Sequence, residues 1–165
     1  MPVYSVDKLI AETRRLAAEF RRATGQMLPV SGEIARHDVA RLLDLSLCDD
    51  RSHGVDAIGR GEREGLRVQI KGRVILQEGK PGQRLGQFSP EGEWDRVVLS
   101  LMDADFEPFE IYEADRGSVL DALEASEGSR RSSRGAMSVA RFKNIAELVW
   151  TRERGLESGV WENHP

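Results

Sequence analysis

Apolar and polar positions along this chain follow two periods, a helical one near the beginning and an alternating one in the middle. Between residues 4 and 22, apolar side chains recur at helical spacing, and charged side chains occupy the other faces. Gly25 and Pro29 then end the pattern. We predict a helix that packs through one stripe, formed by Val6, Leu9, Ile10, Thr13, Leu16, Ala17 and Phe20.

A second helix is predicted to begin after a cap at Ser31 or Gly32 and to cover EIARHDVARLLDLSL, residues 33–47. Glu33 lies in its first turn, where the helix dipole favours a carboxylate. Glu33 could instead point toward Asp56 as an outer ligand or water acceptor, and both interpretations stay open. His37 follows one turn later on the same side of the helix, where a surface or hydrogen-bonded histidine is the simpler interpretation.

Residues 54–73 are the stretch that the rest of the chain is organised around. Asp56 ends a short apolar run, the turn-like GRGEREG follows, and a strictly alternating segment carries Gln69 and Lys71. A hairpin folded symmetrically about that turn sets Asp56 opposite Gln69, with Cβ atoms roughly 4.5–5.5 Å apart. Lys71 projects to the same side of the strand. The alternative is a half-exposed strand whose polar face meets only water.

Two further strands and two helices are predicted downstream. Asp95–Met102 is short, β-branched and very apolar, which favours a buried central strand, and Pro108–Ala114 reads as the next strand. Ser118 is predicted to cap one helix. Ser138 is predicted to cap the other, which we expect to continue as far as Val149.

Two segments could contact an anionic ligand, although Glu78, Glu91 and Glu93 dilute the positive charge of the first. The glycine- and proline-rich residues 77–93 predict a long loop that could cover an anionic ligand. Residues 128–146 contain five cations and no acid, which fits either a solvated face or phosphate contact. The candidate phosphate contacts are Arg73, Lys80, Arg84, Arg130, Arg131, Arg134, Arg141 and Lys143.

Composition narrows the classes of protein that these patterns can represent. A chain of 165 residues with 39% hydrophobic and 32% charged residues predicts one globular domain. The single Cys48 excludes an internal disulfide and a cysteine-based zinc site. No apolar run approaches the roughly 20 residues that span a bilayer, so we expect a cytoplasmic protein without a membrane partner. The net charge of −4 argues against non-specific coating of nucleic acid.

The central residues suit phosphodiester hydrolysis. Mg²⁺ or Mn²⁺ needs only one or two protein oxygens because it keeps several waters. Asp56 could supply a charged ligand, the Gln69 side chain a neutral one and the Ile70 backbone carbonyl a third, with Glu33 completing the shell through water. Lys71 could orient the attacking water or stabilise the pentavalent phosphate.

The order Gly-Val-Asp, a short hairpin and then Val-Gln-Ile-Lys-Gly resembles the signature of PD-(D/E)XK nucleases. The upstream Glu33 is similar to the acid of Holliday-junction resolvases, and the Gln-x-Lys form resembles that of Mrr-type restriction endonucleases. The chain is also similar to an uncharacterised bacterial family of domain-of-unknown-function proteins near that superfamily. Two departures are that Gln69 replaces the usual acid, which weakens metal affinity, and that Val55 replaces proline.

The resemblance implies an α/β fold of the restriction-endonuclease-like class, with a central mixed β-sheet of about four strands flanked by helices. It implies a single nuclease-like domain over residues 1–154, with an N-terminal packing helix at 4–24 and a C-terminal tail at 155–165. The implied activity is metal-dependent DNA cleavage at Glu33, Asp56, Gln69 and Lys71, and the resolvase likeness suggests a homodimer. The alternative is an inactive module on the same fold that binds DNA or a protein partner.

Overall fold

The computed structural model describes residues 5–76, 83–125 and 136–157. Four helices are present in these ranges: α1 (Val6–Thr24), α2 (Ser31–Leu42), α3 (Arg116–Ala125) and α4 (Val139–Ile145). A short 3₁₀ turn spans Gly61–Arg63. The strands are β1 (Leu45–Leu47), β2 (Ala57–Gly59), β3 (Arg67–Val74), β4 (Arg84–Gln87), β5 (Arg96–Met102), β6 (Pro108–Asp115), β7 (Ala136–Ser138), β8 (Glu147–Thr151) and β9 (Gly155–Leu156).

Seven of these strands form one mixed sheet in the order β1-β2-β3-β5-β6-β8-β9, which curls into a half-barrel. Strands β3 and β5 run parallel, and every other neighbouring pair in this sheet is antiparallel. Strands β4 and β7 pair separately as a small antiparallel ribbon.

The expected restriction-endonuclease-like sheet of about four strands is therefore wrong. The additional strands β1, β8 and β9 are only three, five and two residues long. Segments this short contain too few residues to show the alternation of a strand. The helical pattern of the residues next to them in the sequence therefore determined the prediction. Residues 45–47 were predicted to end the second helix, and they form β1 instead. Val149 was predicted to belong to the last helix, and it lies in β8.

The two faces of the sheet are covered differently. Alternate β3 residues Val68, Ile70 and Val74 are buried in a core shared with α2. On the other face, a second core joins α3, α4 and the segment around β4, and its largest side chains are Trp94, Phe88, Phe142 and Leu85.

Helix α1 departs from the predicted packing. It begins at the Ser5 cap, whose hydroxyl accepts a 3.2 Å hydrogen bond from the Lys8 N–H, and it ends at Gly25 with φ 74°. It contacts the rest of the protein through buried Ala17 and Ala18 and through Arg14. Arg14 forms ion pairs with Asp38 of α2 and with Glu107, just before β6. Most of the predicted apolar stripe is exposed instead, because periodicity groups residues on one face without identifying which face meets the body.

The predicted helix caps also need correction at two sites. Helix α2 starts at Ser31 itself, and Val30 holds the N-cap position without a side-chain hydrogen bond. Helix α3 starts two residues before Ser118, and the Asp115 carboxylate accepts a 2.7 Å hydrogen bond from the Ser118 N–H. The Ser138 cap is confirmed, since its hydroxyl accepts a 3.1 Å hydrogen bond from the Arg141 N–H.

A glycine sets the distance between α2 and the sheet. A Cβ atom at Gly72 would lie 2.4 Å from Cβ of Ala35 and 2.8 Å from the carbonyl oxygen of Ser31. The missing side chain therefore lets the first turns of α2 rest directly on β3. None of the helices in the described ranges combines the length and apolar character needed to cross a membrane.

Candidate functional site

The hairpin of β2 and β3 holds Asp56 beside β3. Ala57 pairs with Val68 and Ile58 with Arg67, so the predicted symmetric folding about the GRGEREG turn is confirmed for these residues. The paired register begins at Ala57, and the Asp56 N–H donates at 2.8 Å to the carbonyl of Val68, which is the partner of Ala57. The pairing of Asp56 with Gln69 therefore stays a prediction.

The two carboxylate oxygens of Asp56 have different surroundings. Oδ2 accepts a 2.7 Å hydrogen bond from the Ile70 N–H. Oδ1 lies 3.6 Å from the Nε atom of Arg36, which projects from α2. Because the N–H and C=O of one strand residue point to the same side, the Ile70 carbonyl also lies on the Asp56 side of β3.

Arg36 is a member of the site that the sequence reasoning missed. Its guanidinium is largely buried, donates through Nη2 to the Cys48 carbonyl, and lies beside Asp56. Its Nε atom is buried and makes no hydrogen bond within the described structure. The signal was its position three residues after Glu33, which places both side chains on one side of α2.

Gln69 supplies a buried oxygen that has no donor. Its Oε1 atom is inaccessible to solvent and receives no hydrogen bond from the described residues. Its Nε2 atom is close to Gly54, where a Cβ atom would lie 3.5 Å away. Most buried polar atoms in proteins have a partner, so an isolated acceptor of this kind is a candidate ligand for a cation or a bound water.

Lys71 is half-buried on the same face of β3 as Gln69. Its Nζ atom lies 4.8 Å from the centre of the Phe88 ring, which covers this part of the strand. Burial lowers the pKa of Lys71, the charge of Arg73 lowers it further, and the charge of Asp56 opposes both. The segment around Phe88 therefore covers the polar face of β3 at Lys71. The alternative interpretation, in which this face meets only water, does not hold at Lys71.

Glu33 contacts the site through arginines. Its Oε1 atom lies 2.6 Å from Nη1 of Arg51, and its Oε2 atom lies 4.0 Å from Nη1 of Arg36. The hydrogen bond from Arg51 holds the pKa of Glu33 below its usual value, and the charges of Arg51, Arg36 and His37 add to this against partial burial. Arg36 therefore lies between the two acids, and it links Glu33 to Asp56.

The oxygen atoms that could hold a divalent ion are few. Asp56 Oδ1, Gln69 Oε1 and the Ile70 carbonyl are the candidates, and they amount to one charged and two neutral ligands. Within the described part of the chain, no group of three or more His, Cys, Asp or Glu residues could hold a metal ion. One carboxylate with neutral oxygens still fits Mg²⁺ or Mn²⁺, because water completes the shell of these ions.

The side chains that were predicted to contact phosphate differ in their burial and in their hydrogen-bond partners. Arg73 donates to the carbonyls of Arg84 and Gly72, and burial lowers the pKa of Arg73. Arg141 donates to the Ala122 carbonyl, which joins α4 to α3. Lys143 is exposed, with Nζ 5.4 Å from the centre of the Tyr112 ring. Arg84 begins β4 and is half-buried. The other four candidates lie outside the described residues: Lys80, Arg130, Arg131 and Arg134.

Comparison with known proteins adds no information about the candidate site. No protein-family model matches the chain, and a search of curated proteins finds no match either. The resemblance to PD-(D/E)XK nucleases therefore depends on Glu33, Asp56, Gln69 and Lys71 alone.

Proposed function

We propose that this protein is a divalent-metal-dependent phosphodiesterase that cleaves DNA at the Asp56–Gln69–Lys71 site. The observation that carries the proposal is the orphaned, buried Oε1 of Gln69 on β3, the strand whose Ile70 N–H holds the carboxylate of Asp56. A strand that merely faced water would leave this amide solvated. Lys71 adds a half-buried positive charge on the same strand face as Gln69.

The metal in this proposal is Mg²⁺ or Mn²⁺. When bound, such an ion would polarise the phosphate and lower the pKa of a bound water. Asp56 Oδ1, Gln69 Oε1 and the Ile70 carbonyl would hold it. The Ile70 N–H fixes the other oxygen of Asp56, so the carboxylate is oriented in advance of ligand binding.

Lys71 is proposed to act on the phosphate and the water. Its burial under Phe88 makes the ammonium less hydrated, and a poorly hydrated charge stabilises developing negative charge more strongly than an exposed one. The lowered pKa of Lys71 also makes loss of a proton from its Nζ atom easier than from an exposed lysine.

Arg36 and Glu33 are proposed as the second layer of the site. Arg36 balances the charge of Asp56, and Glu33 with Arg51 sets the position of Arg36 through ion pairs. The proposed substrate is DNA, with Lys143 and the cations of residues 128–134 as contacts to its phosphates. We place the activity in the cytoplasm, where a lone Cys48 stays reduced.

A second candidate function is DNA or partner binding without cleavage. The observation that favours it is the guanidinium of Arg36, which already supplies a positive charge 3.6 Å from Asp56 Oδ1. An arginine there lowers the affinity of the carboxylate for a metal ion, and Gln69 contributes no charge that would compensate.

Nicking of supercoiled plasmid in Mg²⁺ or Mn²⁺ separates the two functions. We expect the wild-type protein to nick DNA, and Asp56→Asn and Lys71→Met to lose at least about 100-fold in rate, as removal of a transition-state contact does. Glu62→Gln, an exposed acid on the turn of the same hairpin, is the matched control.

Each outcome of the plasmid assay assigns one function. Full nicking by both site variants, with unchanged circular dichroism, would overturn the proposed site. DNA binding by the wild type without nicking under any metal would favour the second candidate.

A further inference from the structure

An open cleft of about 630 Å³, here called the α1–α2 cleft, lies between α1, α2 and the turn that joins β5 to β6. Sites for small molecules occupy roughly 300–1,000 Å³, so the cleft is large enough to hold one. Asp38 and Arg41 of α2 line it together with Ile10 and Ala18 of α1. None of these residues belongs to the proposed metal site.

Asp38 has one carboxylate oxygen that is paired and one that is not. Its Oδ1 atom accepts a hydrogen bond from Nη2 of Arg14 at 2.5 Å. Its Oδ2 atom is buried and receives no hydrogen bond from the part of the chain that the structure describes. Only 2% of Asp38 is exposed. Because buried acceptors in folded proteins nearly always have a donor, Oδ2 is a candidate contact for a ligand.

The arginines around Asp38 compensate its burial only in part. Burial raises the pKa of Asp38, although the hydrogen bond from Arg14 and the charges of Arg14 and Arg41 act in the opposite direction. The charge of Glu107 adds to the rise. One further donor with a positive charge would therefore stabilise this carboxylate.

Arg41 brings an available positive charge to the same carboxylate. Its Nη2 atom lies 3.6 Å from Oδ1 of Asp38, which is longer than the roughly 2.7–3.2 Å of a hydrogen bond. Within the described residues, Asp38 is the only acid with which Arg41 pairs. The Arg41 side chain is 64% exposed, so its guanidinium can turn toward a ligand in the cleft.

We propose that the α1–α2 cleft binds an α-amino acid with an apolar side chain, which places its ammonium at Asp38 Oδ2 and its carboxylate at Arg41. The two charges of an α-amino acid lie side by side, as the opposite charges of Asp38 and Arg41 do. A metal ion fits this position less well, because Arg14 and Arg41 already set positive charge beside Asp38. A ligand that carries its own anion pairs with Arg41 instead of being repelled by it.

Apolar surface for the side chain of the ligand lies on both sides of Arg41. Ile10 lines the α1–α2 cleft, and Leu42 and Trp150 line a second cleft of about 370 Å³. The two clefts adjoin, because Arg41 and Glu107 line both. An apolar side chain can therefore lie beside the charged contacts without meeting only polar groups. This proposal does not depend on the proposed nuclease function.

Calorimetric titration of the full chain with L-phenylalanine tests the site. We expect one bound molecule with a dissociation constant of about 0.1–1 mM, as suits a small ligand in an open cleft. Phenethylamine lacks the carboxylate and 3-phenylpropionate lacks the amine. Each should bind at least about 10-fold more weakly, because each loses one charged hydrogen bond. No binding of L-phenylalanine at several millimolar, or equal binding of the three compounds, would overturn the proposal.

Arg41→Gln tests the carboxylate contact at an exposed position that the fold does not need. It should lower the affinity for L-phenylalanine to about that of the wild type for phenethylamine, because both changes remove the same ion pair. Arg60→Gln is the matched control, since Arg60 is an exposed arginine just after β2 that pairs with Asp44 at 3.1 Å. Asp38→Asn should weaken L-phenylalanine as well, with circular dichroism as the measure of folding. Unchanged binding by Arg41→Gln, or an equal loss in Arg60→Gln, would contradict the assignment.

Discussion

The Nε atom of Arg36 lies 3.6 Å from Oδ1 of Asp56, so the central carboxylate of the candidate site already has a positively charged neighbour. The other carboxylate oxygen is occupied by the Ile70 N–H. A divalent ion that uses Asp56 must therefore share Oδ1 with Arg36 or displace it. In the proposed metal site, Arg36 would therefore compete with the ion for Asp56 and lower the affinity for it.

Removal of the Arg36 charge should strengthen metal binding. We expect Arg36→Gln to raise the affinity for Mn²⁺ by roughly 10-fold, because repulsion between two neighbouring cations costs about 1 kcal/mol or more. Calorimetric titration of Mn²⁺ measures this change. His37→Gln, the next residue on α2, is the control, and an Arg36→Gln variant with unchanged or weaker binding would show that Arg36 does not compete for Asp56.

The contact of α2 with β3 should depend on Gly72. We expect Gly72→Ala to lower the free energy of unfolding by about 3 kcal/mol, because the new Cβ would overlap Ala35 and the Ser31 carbonyl. Gly32→Ala, with no atom within 4 Å of the new Cβ, should instead stabilise α2 by about 0.5–1 kcal/mol. Urea unfolding of both variants measures the difference, and an equal effect of the two substitutions would contradict the close approach at Gly72.

The free energy of unfolding at acidic pH should depend on the ion pair between Arg67, at the start of β3, and Asp95, just before β5. Asp95 accepts hydrogen bonds from the Arg67 N–H, Nε and Nη2 at 2.9, 3.1 and 3.1 Å. The side-chain and backbone hydrogen bonds from Arg67 lower the pKa of Asp95 below its usual 3.8. A carboxylate whose pKa is lowered by folding contributes stability above pH 3.8, and that stability is lost as the pH falls through the lowered value.

The matched variant for this pH dependence is Asp95→Asn. At pH 7 it should be less stable than the wild type by about 1 kcal/mol, as expected for a partly exposed pair. As the pH falls below the lowered pKa of Asp95, the two unfolding free energies should converge, because Asp95 becomes protonated in both the folded and the unfolded states. A difference that stays constant down to pH 2 would show that the Arg67 pair adds no pH-dependent stability.

The sequence predicted the hairpin and its register well because both depend on local signals. The alternation around Gln69 and Lys71 and the glycine-rich turn before it determine which residues face each other. The same reasoning failed for the number of strands, since β1, β8 and β9 are too short to show a period. Their pairing is decided by neighbouring strands that lie far away along the chain.

The site was predicted only in part for a related reason. Gln69 and Lys71 follow from strand alternation, but the cover over Lys71 comes from Phe88, which is 17 residues further along. Phe88 directly follows β4, a strand in a segment that the sequence wrongly predicted to be loop throughout. Arg36 reaches Asp56 because Gly72 lets α2 approach the sheet closely. A contact of this kind depends on helix-to-sheet packing, which the spacing of residues within one element does not report.

Titration with Mn²⁺ of the wild type, Asp56→Asn, Gln69→Leu and Glu62→Gln tests the proposed metal site. We expect one site with a dissociation constant of about 1 mM in the wild type and in Glu62→Gln, as suits a single carboxylate ligand. We expect Asp56→Asn and Gln69→Leu to lose this site while circular dichroism stays unchanged. A wild type that binds no Mn²⁺, or binding that survives both substitutions, would contradict a metal site between Asp56 and Gln69.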